Sequence, residues 1–137
     1  MARRVSIDLP EFTHANPIPA ASRKGPFLFS GAFTGRDPVT RELPEGLDAQ
    51  TANIFAHVRA VMAAAGGSTD DIVKMTFWLV AFRDRAALNR EWLLMFPDPE
   101  SRPARHAVRA SLDEGVLVQA DLTAILDSPV PPAEARR

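Results

Sequence analysis

The sequence predicts an α+β fold, with the element order β-β-α-β-α-β-β and two helices packed on one face of a mixed sheet. Three observations lead there. Two-residue alternation marks both ends of the chain, at Val5–Leu9 and at Ala104–Leu112 and Val116–Leu126. Two stretches of helical period, Asp48–Ala65 and Arg85–Phe96, each end at glycine or proline stop signals. Between them Ile72–Phe82 is apolar on both of its faces. At 137 residues the chain is expected to form one domain over 1–126, followed by a Pro-rich tail over 127–137 expected to be disordered.

In chain order, Val5, Ile7 and Leu9 alternate with Ser6 and Asp8 as a short first strand that Pro10 closes. Two prolines within Asn16-Pro17-Ile18-Pro19 bar a central strand, so an extended edge or loop is expected. Phe27 to Phe33 is an apolar run broken at Gly31, which suggests a buried strand with a bulge or a close backbone approach. Gly35–Gly46, with Pro38 and Pro44, is a surface loop. Asp48 can N-cap the first helix, which Gly66-Gly67 stops. Its buried stripe is Ile54, Val58, Val61, Met62 and Ala65, with Arg59 facing away.

In Ile72–Phe82, Val73, Met75, Phe77, Leu79 and Ala81 form the face for the helices to cover. The other face, with Ile72, Lys74, Thr76, Trp78, Val80 and Phe82, is too apolar for water over that length, and a second subunit is expected to cover it. Asp84 can cap the second helix, whose Leu88, Trp92 and Phe96 recur at i, i+4, i+8 before Pro97 and Pro99 end it.

Pro103 then opens a strand with Arg105, Ala107, Arg109 and Ser111 on one face and Ala104, His106, Val108, Ala110 and Leu112 on the other. The two guanidiniums lie about 13 Å apart at roughly 3.3 Å per residue. In the last strand Gln119, Asp121 and Thr123 oppose Val116, Val118, Ala120, Leu122, Ala124 and Leu126. If Leu112–Gly115 closes a hairpin, arginine, amide and carboxylate converge on one polar patch.

Composition removes several functions. A net charge of −1 leaves no electrostatic footprint for nucleic acid or an anionic membrane. The absence of cysteine excludes disulfides, a thiolate nucleophile and Cys-ligated zinc. No apolar segment follows Met1-Ala2-Arg3-Arg4, so no signal peptide is expected, and no apolar run approaches the roughly 18 residues that would span a bilayer. The cytoplasm is the expected compartment, with no cofactor.

Arg105 is the sharpest candidate for chemistry, because a planar guanidinium binds a carboxylate with two parallel hydrogen bonds, and Arg109 has an equal claim by geometry alone. Pairing with Asp121 is the structural alternative for Arg109. His14, His57 and His106 have no metal-ligand spacing, and each is expected in a satisfied core or surface role. Ser30 has no nucleophile-elbow context, which leaves it a donor role at a strand end. Asn89 is expected to face solvent, and Gly25, Gly31 and Gly35 form no phosphate cradle. Trp78 and Trp92 are expected in the core or an interface.

Phe29-Ser30-Gly31, Asp37-Pro38-x-Thr40-x-Glu42, Ala65-Gly66-Gly67, Asp70-Asp71-Ile72-Val73-Lys74-Met75-Thr76, Leu88-Asn89-Arg90-Glu91 and Arg102-Pro103-Ala104-Arg105 occur in one order. Together they resemble the RidA family, also called YjgF/YER057c, from about Asn16 to Leu126. The resemblance implies a chorismate-mutase-like fold assembled as a homotrimer with clefts between subunits. Active members hydrolyse reactive enamines and imines, such as 2-aminoacrylate, to a 2-oxo acid and ammonia without a cofactor.

On that pattern Arg105 would hold the substrate carboxylate, and Ser30, Gly31 and Asn89 would be cleft positions. Backbone groups near Ala107 would face the imine and the attacking water, with Arg109 beside them. This chain departs from the pattern in three places. Asn16-Pro17-Ile18-Pro19 stands where deaminating members carry a tyrosine, Ala107 replaces a cleft cysteine, and Gln119 replaces the glutamate that positions water. An amide cannot act as a general base, though it can orient a water, and Asp121 could act only if it reached the cleft. Three readings stay open: an imine/enamine deaminase, a non-catalytic trimer that binds small carboxylates, and another hydrolase or tautomerase in the same cleft. Some members of the family have been described as ribonucleases or translation inhibitors. The net charge of −1 and the absence of a basic-aromatic stripe in the sequence argue against that here.

Overall fold

A computed structural model of the chain describes residues 3–10 and 16–132, so the expectation for His14 falls outside the described residues. In chain order the strands and helices are β1 (Val5–Ile7), β2 (Ala21–Lys24), β3 (Phe27–Ser30), β4 (Phe33–Thr34), α1 (Leu47–Ala64), β5 (Ile72–Leu79), α2 (Ala86–Met95), β6 (Ala104–Arg109) and β7 (Val118–Ile125). The strands form one mixed sheet in the order β1-β2-β3-β7-β5-β6, with β4 also paired to β7. The α+β architecture with both helices on one sheet face is as the sequence predicts, and its cause lies in the connections. β4 and β5 both run antiparallel to β7, so they are parallel to each other, and β6 is parallel to β5. The crossovers through α1 and α2 therefore step across the sheet in the same direction. Such crossovers are right-handed almost without exception, which sends both helices to the same side.

That side holds the core. Met75, Phe77 and Leu79 of β5, Val118, Ala120, Leu122 and Ala124 of β7, and Leu28 of β3 are buried beneath Ile54, Phe55, Val58, Val61 and Met62 of α1. From α2, Leu88 and Trp92 complete the layer. Phe55 stacks on Phe77 at 5.9 Å between ring centres, and Phe77 meets Trp92 edge-on at 6.3 Å, so one aromatic seam ties both helices to the central strand. The apolar stripe expected for the first helix is buried throughout, and Arg59 faces out.

Several local expectations change. β2 was not predicted: Ala21-Ser22-Arg23-Lys24 has little intrinsic strand preference, and pairing on both sides, with β1 and β3, holds it extended. The expected bulge at Gly31 is present, since four steps from Phe29 to Phe33 match three from Thr123 to Ala120 on β7. A second bulge was not foreseen. Ile72 pairs with Ala124 and Lys74 with Thr123, which leaves Val73 as an extra residue. Ile72 therefore turns into the core at 4% exposure and Val73 turns out at 44%, the reverse of the predicted assignment.

Neither predicted aspartate caps its helix. Gly46, at φ +93°, precedes α1 and Arg85 precedes α2, both without a side-chain cap. Asp48 lies in the first turn of α1, where its charge opposes the positive helix end, and pairs with Arg90 at 3.4 Å on the surface. The other end of α1 follows the glycine signal. Gly66, at φ +84°, donates its N–H to the Ala63 carbonyl and Gly67 donates to that of Met62, which closes the last turn.

Two buried polar side chains, neither singled out by the sequence, join segments distant in the chain. Gln50 is fully buried; its Nε2 donates to the carbonyls of Pro44 and Gly115, both at 2.8 Å, and its Oε1 accepts the Leu117 N–H at 2.9 Å. Arg23, 2% exposed, donates to the carbonyls of Gly25 (2.8 Å), Ala65 (2.6 Å), Ser128 and Pro129 (3.5 Å). At the start of the Pro-rich tail, Ser128 and Pro129 are thus held against the C-terminal end of α1, where the Ser128 hydroxyl also donates to the Gly66 carbonyl, and residues 133–137 lie outside the described set.

Candidate functional site

The hairpin expected to bring the arginines beside Gln119 and Asp121 does not form. β5 lies between β6 and β7, pairing in parallel with the former and antiparallel with the latter. Arg105, Ala107 and Arg109 are in register with Met75, Phe77 and Leu79, so they share the helix-covered face. Gln119 and Asp121 are in register with Trp78 and Thr76, on the opposite face. An Arg109–Asp121 pair is therefore impossible within the chain. The alternation of each strand was correct; the neighbour of each was not.

What assembles instead is a site along the free edge of the sheet at β6, under α2. The Arg105 guanidinium is half-buried and lies over the Trp92 ring at 5.1 Å. Burial beneath α2, with Arg85 adding like-charge repulsion, lowers its proton affinity from the ordinary arginine value, although it stays a cation. Among the described residues no carboxylate forms an ion pair with it; the ion pair found is Arg90–Asp48. Arg85, Asn89 and Trp92 recur at i, i+4, i+7 along α2, which puts exposed Asn89 on the flank that overlooks this edge. Ala107 packs half-buried against the core. Ala110 donates its N–H to Leu79 of β5, so by alternation the backbone groups of Ala107 and Arg109 point off the sheet edge, available to a ligand.

A few residues upstream, Phe82 carries two cations. The Arg85 guanidinium stands 4.4 Å from its ring centre and that of Arg109 stands 5.9 Å from it. The sequence shows no basic-aromatic stripe, yet the fold gathers Arg85, Arg105 and Arg109 around Phe82 and Trp92. Only the helical spacing of Arg85, Asn89 and Trp92 could have signalled it.

Ser30, Gly31 and Gln119 lie elsewhere. Ser30 Oγ donates to the Gly31 carbonyl and accepts the Leu122 N–H, both at 2.8 Å. It thereby knits the bulge to β7, the strand-end role expected of it. Gln119 is half-buried on the open face between Thr34 and Trp78. β7 is two strand spacings from β6, about 10 Å at roughly 4.8 Å each. Asp121, on that same face, has its carboxyl pushed up by burial, with Lys74 opposing the shift. His106 is exposed on the open face, and buried His57 donates Nε2–H to the Arg36 carbonyl at 2.7 Å. No group of three or more His, Asp or Glu among the described residues is placed to hold a metal ion, and no described helix is long and apolar enough to cross a membrane.

The open face carries Phe27, Phe29 and Ile125 at 50, 56 and 45% exposure at one end and Val80 at 45% with half-buried Trp78 at the other, with Gln119, Asp121 and Thr123 of β7 between them. The second apolar face inferred from Ile72–Phe82 is therefore wider than one strand predicts.

Comparison with known proteins gives a consistent answer. A RutC family protein of Pyrococcus horikoshii is 34% identical over 110 residues, 79% of this chain and 86% of that protein. TdcF of Escherichia coli K12, named as a candidate reactive intermediate deaminase, is 28% identical over 103 residues, 74% of this chain and 80% of its own. The crystal structure of RidA from an Antarctic Psychrobacter superposes with a TM-score of 0.82 at 30% identity, covering 89% of this chain and 99% of that one. The family model described as Endoribonuclease L-PSP matches residues 13–126, and the chain belongs to that family, the YjgF/RidA family.

Proposed function

We propose that the protein is a homotrimeric hydrolase of small 2-imino and enamine acids, with Arg105 holding the substrate carboxylate. The observation that carries this reading is the Arg105 guanidinium, half-buried on Trp92 and facing no acid among the described residues. A desolvated cation without a counter-ion favours an anionic ligand, and a carboxylate matches its fork. With the carboxylate fixed there, the imine carbon would lie against the outward backbone groups of Ala107. The carbon is already electrophilic, so holding a water beside it suffices. Water adds across the C=N bond, the nitrogen takes a proton, and the carbinolamine expels ammonia to leave the 2-oxo acid.

Arg105 and Gln119 stand on opposite faces of one subunit, so a cleft using both requires two copies. The exposed apolar sheet face supports such an assembly. In that cleft the Gln119 amide would orient the water, and Ser30, Gly31 and Asn89 would form walls. Gln119 in place of an acid also favours a second reading, a trimer that binds small carboxylates without turning them over.

Both readings meet one experiment. Imines are generated in situ from several amino acids by an amino-acid oxidase, and semicarbazide traps what is not hydrolysed. The wild-type protein is expected to suppress trapping and Arg105→Ala to lose that effect. If wild type leaves trapping unchanged, catalysis on imines is refuted; carboxylate binding with no turnover then selects the second reading. Light scattering should give three times the 15.0 kDa chain mass, and a monomer would refute the shared cleft.

A further inference from the structure

We propose that the site at the β6 edge is built for dicarboxylates, with Arg105 on one carboxylate and Arg85 together with Arg109 on the second. The proposal rests on the carboxylate-binding role of Arg105 and deepens it by naming the substrate class. Three guanidiniums meet here from two elements: Arg105 and Arg109 from β6, and Arg85 from the start of α2. Phe82 holds two of them on its ring, and the Arg85 Nε–H donates to the Phe82 carbonyl at 3.2 Å, which fixes the base of that side chain. Among the described residues none of the three has an acidic partner. Arg85 is close enough to Arg105 for its charge to be felt there.

Aromatic contacts hold cations in place, worth about 0.5–1 kcal/mol each at exposed sites, but they do not neutralise charge. A single carboxylate on Arg105 would leave two guanidiniums uncompensated. A second carboxylate on the ligand would face Arg85, whose charge is felt at Arg105, with Arg109 across the shared Phe82 ring, and the like-charge repulsion that now acts on Arg105 would become attraction for a divalent ligand. The preferred substrates would then be imines of acidic amino acids, whose side-chain carboxylate supplies the second charge.

Equilibrium binding of succinate and of butyrate, equal in carbon count and differing by one carboxylate, tests this on the intact protein at fixed ionic strength. Succinate is expected to bind about tenfold more tightly than butyrate. The ratio should fall toward one in Arg85→Gln and in Arg109→Gln, and Arg105→Ala should weaken both ligands. The imine assay, run with aspartate and alanine as imine sources, should show the same ratio in kcat/KM and the same loss in the variants. Equal affinity for the two acids, or a preference that survives both substitutions, overturns the proposal. So does salt-dependent binding of single-stranded RNA at these arginines that succinate cannot displace. If succinate is preferred while no imine is hydrolysed, hydrolysis fails and this inference stands; if imines are hydrolysed without preference, the reverse holds.

Discussion

Replacing Gln50 should destabilise the fold, because its side chain ties α1 to the loop at Pro44 and to the segment Gly115–Leu117. Its amide is fully buried and uses both of its donors and one of its two acceptor positions in one junction: two bonds donated, to Pro44 and Gly115, and one accepted, from Leu117. Gln50→Ala leaves one N–H and two carbonyls without partners. An orphaned buried group costs about 1–3 kcal/mol, but Gly115 is exposed and Pro44 half-exposed, so water recovers part of that loss. The expected net is about 2–4 kcal/mol, including the small cavity left behind. Gln50→Glu separates hydrogen bonding from volume. A carboxylate would face two carbonyl oxygens, so the folded state holds it protonated and its pKa rises above the unfolded value of about 4.3. Its stability is therefore greatest below that value and falls as pH rises through the folded one. Urea unfolding followed by circular dichroism, at constant protein concentration because assembly contributes, measures both. An unchanged midpoint for Gln50→Ala, or a pH-independent Gln50→Glu, would refute this account of the junction.

Three further outcomes follow from individual contacts. Arg23→Met removes the guanidinium donors to the Ser128 and Pro129 carbonyls and leaves only the Ser128 hydroxyl bond to the Gly66 carbonyl, so limited proteolysis should cut the C-terminal segment faster than in wild type while the domain remains folded. Gly67→Ala would place a methyl 2.3 Å from Cδ2 of buried Leu126 and 2.7 Å from the Asp71 carboxylate, which accepts the Ser68 N–H, and should lower stability by about 1–3 kcal/mol in thermal unfolding. Asp121 has its folded pKa raised by burial, so its contribution is greatest below the unfolded value of about 3.9 and is lost as pH rises through the folded one. Asp121→Asn should flatten that part of the stability-versus-pH curve, a small effect because the group is partly solvated.

Sequence periodicity located what each strand shows to either side and failed on what each strand lies beside. The alternation of Ala104–Arg109 and of Val116–Leu126 predicted the correct faces, because burial on one side of a pleated strand leaves a two-residue signature. Adjacency has no such signature. β6 returns beside β5 through a helical crossover, and β7 enters on the other side of β5, a choice set by crossover handedness rather than by composition. Bulges escape for a related reason: one extra residue at Val73 reverses the faces around it, and nothing in Asp71-Ile72-Val73-Lys74 marks it. At Gly31 the glycine did mark it. β2 was missed because Arg23 reads as a solvated charge, whereas its fork serves four buried or half-buried carbonyls that no local pattern connects.

The same separation of face from neighbour decides what can be said of the site. A cluster drawn from β6 and β7 would have been a self-sufficient centre, with a carboxylate near the arginines to accept or deliver protons. With the two strands on either side of β5, the arginine edge has no acid among the described residues, and the amide and carboxylate of β7 look out from the opposite face. Such an edge can fix an anion and present backbone groups to it, but by itself it cannot move a proton at neutral pH, because guanidinium does not titrate there. Any catalysis must therefore draw on water activated by the substrate's own electrophilic carbon or on groups from a second copy seated against the open apolar face. Trp78→Glu, which places a charge on that face, separates the two. Loss of assembly with loss of imine hydrolysis but retained succinate binding would assign binding to the edge of one subunit and turnover to the pair; hydrolysis by a monomer would assign both to the edge alone.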